Sequence, residues 1–137
     1  MSLKILALHD ALKAGIAKAE QMGIAVGIVT VDSAGFLVAA ARMDTALPLS
    51  PEIAYGKASA SALMRLPSAD LQKRWQPGAP VPATLFARTG GRFTPQQGAL
   101  PISQNGEVVG AVGVSGASSA DDEQVAQAVV DAYLKSI

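Results

Sequence analysis

The stretch Ala99-Leu-Pro-Ile-Ser-Gln-Asn-Gly-Glu-Val-Val-Gly-Ala-Val-Gly-Val-Ser115 reads as two antiparallel strands joined by a tight turn. Asn105-Gly106 is the dipeptide best suited to the positive backbone angles of a two-residue hairpin. The spacing predicts a short strand over Ala99–Ser103 and a returning strand over Glu107–Ser115. On that second strand Val108, Gly110, Val112 and Val114 line one face, and Val109, Ala111, Gly113 and Ser115 line the other. Neither set is polar, so the sheet is predicted to be covered on both sides.

Working outward, Ile24-Ala-Val-Gly-Ile-Val-Thr-Val31 has the same doubly apolar character. Asp32-Ser-Ala-Gly35 follows as turn chemistry, and Phe36–Met43 completes a second hairpin. Helices surround these strands. Ile5, Leu8, Leu12, Ile16 and Ala19 recur at helical spacing over residues 3–22, with Gly23 as the stop. Ser50-Pro51-Glu52 opens a helix to about Leu66. Pro67-Ser68 ends it and caps a short helix through Trp75, and the proline-rich stretch 76–82 is a stiff connector. Residues 84–88 supply one more turn before Gly90-Gly91 breaks it. Ser118 and Ser119, ahead of Asp121, Asp122 and Glu123, start the last helix. The order is α-β-β-α-α-β-β-α, with room for one extra strand near Phe93. Hairpins imply an antiparallel sheet and doubly apolar strands imply helices on both faces, an α/β (α+β) domain spanning 1–137.

Composition narrows the function. The 137 residues carry eleven basic and eleven acidic side chains, so no broad field draws in nucleic acid or an anionic membrane. Cysteine is absent and His9 is the single histidine, which removes thiolate chemistry and multi-histidine metal sites; no metal is expected. No apolar run approaches the ~20 residues of a spanning helix, and the opening residues lack signal-peptide character, so a cytoplasmic location is expected. Charged residues make up 16% against about 25% in ordinary domains. Part of the apolar excess is alanine, cheap to expose; the rest predicts a homo-oligomer that hides surface between subunits.

Chemistry-bearing residues fall into a few groups. Gly113-Val-Ser115-Gly116-Ala117 lacks the final glycine of a nucleophile elbow, and the glycines at 110, 113 and 116 fit neither a dinucleotide fingerprint nor a phosphate loop. They do permit close approach of a helix, a subunit or a ligand along the Gly113–Ser115 strand. Arg42 and Asp44 at a strand end, with Glu52 and Lys57 on the next helix, form either an ion-pair network or a polar pocket wall. Arg92-Phe93 sets a cation beside an aromatic on a glycine-bearing loop, a combination suited to an acidic or planar ligand.

These residues also carry a resemblance. Val29-Thr-Val-Asp32-Ser-Ala-Gly35-Phe-Leu-Val38, Arg42-Met43-Asp44, Ser50-Pro-Glu52-Ile-Ala54, Lys57-Ala58, Gly90-Gly91, Leu100-Pro101-Ile102 and Gly106–Gly116 together resemble the GlcG/HbpS-like family of haem-binding or haem-degrading domains, related to the PduO C-terminal domain. The resemblance covers nearly the whole chain. It implies a three-layer α/β/α, profilin-like arrangement with a five-stranded antiparallel sheet, assembled as dimers or larger symmetric oligomers. It also implies haem or another tetrapyrrole as ligand. Where the family often carries a glycine-rich run, this chain has Gln96-Gln97-Gly98-Ala99-Leu100.

The leading expectation is a small-ligand-binding module, its ligand near Arg42, Lys57, Arg92, Phe93, Gly113 and Ser115. If the ligand is haem, His9 or a side-chain oxygen is available to iron. The alternative is a cofactor-free enzyme of the tautomerase or hydratase type acting on an organic acid. Asp44 or Glu52 would then be the base, and Arg42 or Arg92 would grip a carboxylate.

Overall fold

The computed structural model describes residues 2–137. Its elements are α1 (Ile5–Met22), β1 (Gly27–Asp32), β2 (Leu37–Arg42), α2 (Ser50–Met64), α3 (Ser68–Arg74), α4 (Pro80–Arg88), β3 (Ala99–Gln104), β4 (Glu107–Ser115) and α5 (Ser119–Lys135). The strands form one antiparallel sheet in the order β2-β1-β4-β3. The sheet therefore has four strands, not the five expected. The residues around Phe93 do not extend it, because the Phe93 side chain is drawn into a cluster with Ala60 and Leu71. The Thr94 amide then donates to the Gly56 carbonyl of α2, and Pro95 has no amide for a ladder.

Helices cover both faces. Leu8, Leu12 and Ala19 of α1 and Val125, Val129 and Tyr133 of α5 pack on one side with Ile28, Val112 and Val114. Gly15 lets these two helices meet, since a Cβ there would strike Val129. On the other side Ala54, Ala58 and Ala62, four apart along α2, lie against Val29, Val31 and Ala111. At Gly113 a Cβ would collide with the Ala54 carbonyl and with Ala58, so the strand glycine is there for the helix. Alanine is thus not mainly at the surface: Ala54, Ala58, Ala60 and Ala62 are fully buried, and short side chains let α2 settle close to the sheet.

The alternation expected along β4 fails at one place. Val109 joins the same cluster as Val112 and Val114. Ile102 pairs with Gly110 and Ser103 with Val108, so Val109 is the extra residue of a bulge, and the faces exchange across it.

The turns follow their chemistry. Asn105 and Gly106 have φ of 52° and 79°, as a primed hairpin turn requires. Asp32 Oδ1 accepts from the amides of Ala34 and Phe36, folding the β1–β2 turn. Ser118 caps α5 by accepting from the Asp121 amide. Ser50 and Ser68 do not cap their helices. The Ser68 hydroxyl instead accepts from the Ala99 amide at 2.8 Å and faces the Ala99 carbonyl at 3.3 Å, on the outer edge of β3. Residues two apart on a strand point the same way, and the next outward position is Pro101, which has no N–H. These two devices block the outer edge of β3 at Ala99 and Pro101; on β2, at the other edge, the Leu37 amide donates to the Tyr55 hydroxyl at 3.1 Å. No helix among the described residues is long and apolar enough to cross a membrane.

Candidate functional site

Three aromatic side chains converge beside α3 and α4. Trp75 ends α3 in extended conformation, which turns the chain away from the helix. Phe86 lies on α4, a helix with no buried residue. Phe93 is buried behind them, its ring centroid 6.0 Å from that of Trp75 with the planes at 55°. Gly56 makes this approach possible, because a Cβ there would strike Thr94. Gly90 and Gly91, at φ of 66° and 87°, reverse the chain between Phe86 and Phe93, and the Gly91 amide donates to the Phe86 carbonyl.

The result is an aromatic cup of about 540 Å³, walled by Trp75, Phe86 and Phe93 and closed by the segment from Gln76 to Ala83. That volume falls within the range of small-molecule sites. Phe86 is 54% exposed in the wall of this cavity. The exposed Arg74 guanidinium lies 5.7 Å from the centre of the Trp75 ring. It has no ion-pair partner among the described residues.

The residues singled out from the sequence go to six different places. Phe93 is in the cup. Arg92, its neighbour, points away: its guanidinium stacks 4.8 Å from Phe36 and 5.6 Å from Tyr55, and donates to the Gly35 carbonyl. Arg42 and Asp44 share a separate shallow groove of about 510 Å³ with Glu20, where both are exposed. Glu52 is exposed on α2 and lines neither cavity. His9 is exposed on α1, across the sheet from the cup.

Lys57, Gly113 and Ser115 are buried between α2 and β4. Lys57 is paired with neither Glu52 nor Arg42's neighbour Asp44. Its ammonium reaches Asp122 Oδ2 at 3.1 Å and the Val114 carbonyl at 3.0 Å. Lys57 and Asp122 sit on helices covering opposite faces of the sheet, with side chains only 3% and 2% exposed. Gly98 leaves the gap, since a Cβ there would stand 2.8 Å from the ammonium. Asp122 also accepts from the Ala117 amide at 2.9 Å. Burial pushes its carboxyl above the ordinary 3.8, against the opposing pull of the Lys57 ammonium and the Ala117 N–H.

The cup was not anticipated as a unit. Trp75 and Phe86 stand 18 and seven residues from Phe93 in the chain, and only the docking of α3 and α4 unites them. The visible signal was compositional: the only tryptophan and two of three phenylalanines fall within 19 residues. Gln96 and Gln97, which stand where the family often carries glycines, lie outside the cup; the Gln97 backbone amide donates to the Gln72 side chain and the Gln96 side-chain amide reaches Ser119.

Comparison with known proteins agrees with this fold. Protein GlcG of Escherichia coli is 33% identical over 104 residues, 76% of this chain and 74% of its own. The corrinoid adenosyltransferase PduO of Citrobacter freundii is 30% identical over 132 residues, 96% of this chain. The chain spans only 39% of that protein's length. Among solved structures, the PduOC:heme complex superposes with a TM-score of 0.85 at 29% identity, covering 96% of this chain and 95% of that one. HbpS superposes at 0.81 and 28%, covering 96% and 89%. The family model described as haem degrading protein HbpS-like matches residues 4–131, and the chain belongs to that family.

Proposed function

We propose that this chain is a ligand-binding module that takes a tetrapyrrole into the cup formed by Trp75, Phe86 and Phe93, and that it works as a homo-oligomer. The observation carrying the first part is the cup: an aromatic-walled cavity whose Phe86 wall stands 54% exposed in the free domain. Flat faces suit a macrocycle, and the exposed Arg74 beside the Trp75 ring suits its carboxylates. The binding of heme by PduOC supports the ligand class. Leu6, Leu47 and Leu49 at 79%, 74% and 68% exposure support the oligomer, as surface that a second subunit would cover.

Trp75 is the chain's only tryptophan, so its fluorescence reports on this cavity alone. Titration with haemin is expected to quench it. F86A removes one wall and is expected to weaken binding about tenfold or more, a loss of ~1.4 kcal/mol, while H9A is expected to leave binding unchanged. Loss of binding in H9A with F86A unaffected would move the ligand to the outer surface of α1 and overturn this assignment.

The organic-acid enzyme is the weaker reading. Arg42 and Asp44 do share a groove, but no carboxylate lining it is buried. The one buried carboxylate, Asp122, is held by Lys57. A general base of the expected kind needs desolvation that Asp44 and Glu52 lack.

A further inference from the structure

The lining of the cup suits the faces of a planar ring but offers no ligand to an iron. The common protein ligands to haem iron are imidazole, thiolate, thioether and phenolate, and none of the residues lining the cavity carries one. The chain has no cysteine. His9 lies across the sheet. Both tyrosines are committed elsewhere, Tyr55 accepting from the Leu37 amide and Tyr133 from the Lys4 amide. Met43 accepts from the Val26 amide, and neither Met22 nor Met64 lines the cavity. The polar lining reduces to Gln72 and Gln76, and the Gln72 oxygen already accepts from the Gln97 amide at 2.8 Å.

We infer that this site selects the planar macrocycle and not the metal, so that a metal-free tetrapyrrole binds as well as its iron complex. This rests on the tetrapyrrole reading above and adds to it. A site that recognises only the π faces and the peripheral carboxylates gains nothing from iron.

Trp75 quenching by haemin and by metal-free protoporphyrin IX, measured in parallel on the intact chain, tests the inference. The two dissociation constants are expected within about threefold of each other. The spectrum of bound haemin should be unaltered by H9A, and added imidazole should coordinate it. Haemin binding more than about tenfold tighter than protoporphyrin would overturn the inference and leave the tetrapyrrole reading standing. So would a bound-haemin spectrum that changes in H9A or resists imidazole. Quenching by neither compound would overturn both. F86A gives an internal check, since it is expected to weaken both ligands by the same factor; weakening of only one would show that they occupy different sites and would count against the inference.

Discussion

Removing the Asp122 carboxylate should be the most damaging small change in the molecule. D122A strands the Lys57 ammonium, 3% exposed, with the Val114 carbonyl as its one remaining partner. It also leaves the Ala117 amide without its acceptor. Breaking a buried pair from one side costs about 3–5 kcal/mol. For a chain of this size that corresponds to a fall in Tm of roughly 10–20 °C. The double variant K57M/D122L replaces both charges by apolar groups, and should lie within about 2 kcal/mol of the native chain, far above the sum of the single losses. Urea denaturation followed by far-UV circular dichroism measures all of these. A D122A loss below about 1 kcal/mol, or a double variant that merely adds the single losses, would refute the reasoning.

The same pair has a signed pH dependence. Burial lifts the folded-state pKa of Asp122 above 3.8, so the native chain holds this proton more tightly than the unfolded one. Native stability relative to D122N should therefore rise as pH falls through the folded pKa, and level off below 3.8. A difference that shrinks in acid would mean that the ionised pair is net stabilising.

Three further changes test the packing. G113A pushes a methyl into the Ala54 carbonyl and Ala58, and overpacking of this kind should cost about 1–3 kcal/mol in urea denaturation. S68A strips the Ala99 amide of its partner at the β3 edge, with an expected loss of about 1–3 kcal/mol and faster hydrogen exchange at that one amide. N105A forces alanine to φ near 52°, and should cost about 1 kcal/mol without disturbing the sheet elsewhere.

Local chemistry made most of the fold legible. Asn105-Gly106, Asp32–Gly35 and the doubly apolar runs specify the two hairpins and their cover, because hydrogen-bonding periodicity and turn angles are properties of neighbouring residues. The family resemblance suggested a fifth strand, and that failed because Phe93 answers to Ala60 and Leu71, which are distant in sequence. Helix α4 was read as a single turn and runs nine residues, Pro80–Arg88; the prolines that looked like a connector start the helix, where a missing amide costs nothing. Lys57 drew attention as a charge on a helix, yet its partner Asp122 had been read as one of three acids favouring a helix N-terminus. Nothing local distinguishes the one that turns inward. The cup was the least legible feature, since its walls come from three segments whose approach depends on Gly56.

The two unequal edges of the sheet set a rule for how it can grow. A strand arriving beside β3 meets Ser68 already bonded to Ala99, then a proline, and finds little to pair with. A strand extending this sheet finds more free backbone beside β2, past the Leu37 amide that Tyr55 already holds. Two copies that joined there would each use up the more open of their edges, which favours a pair over a fibre.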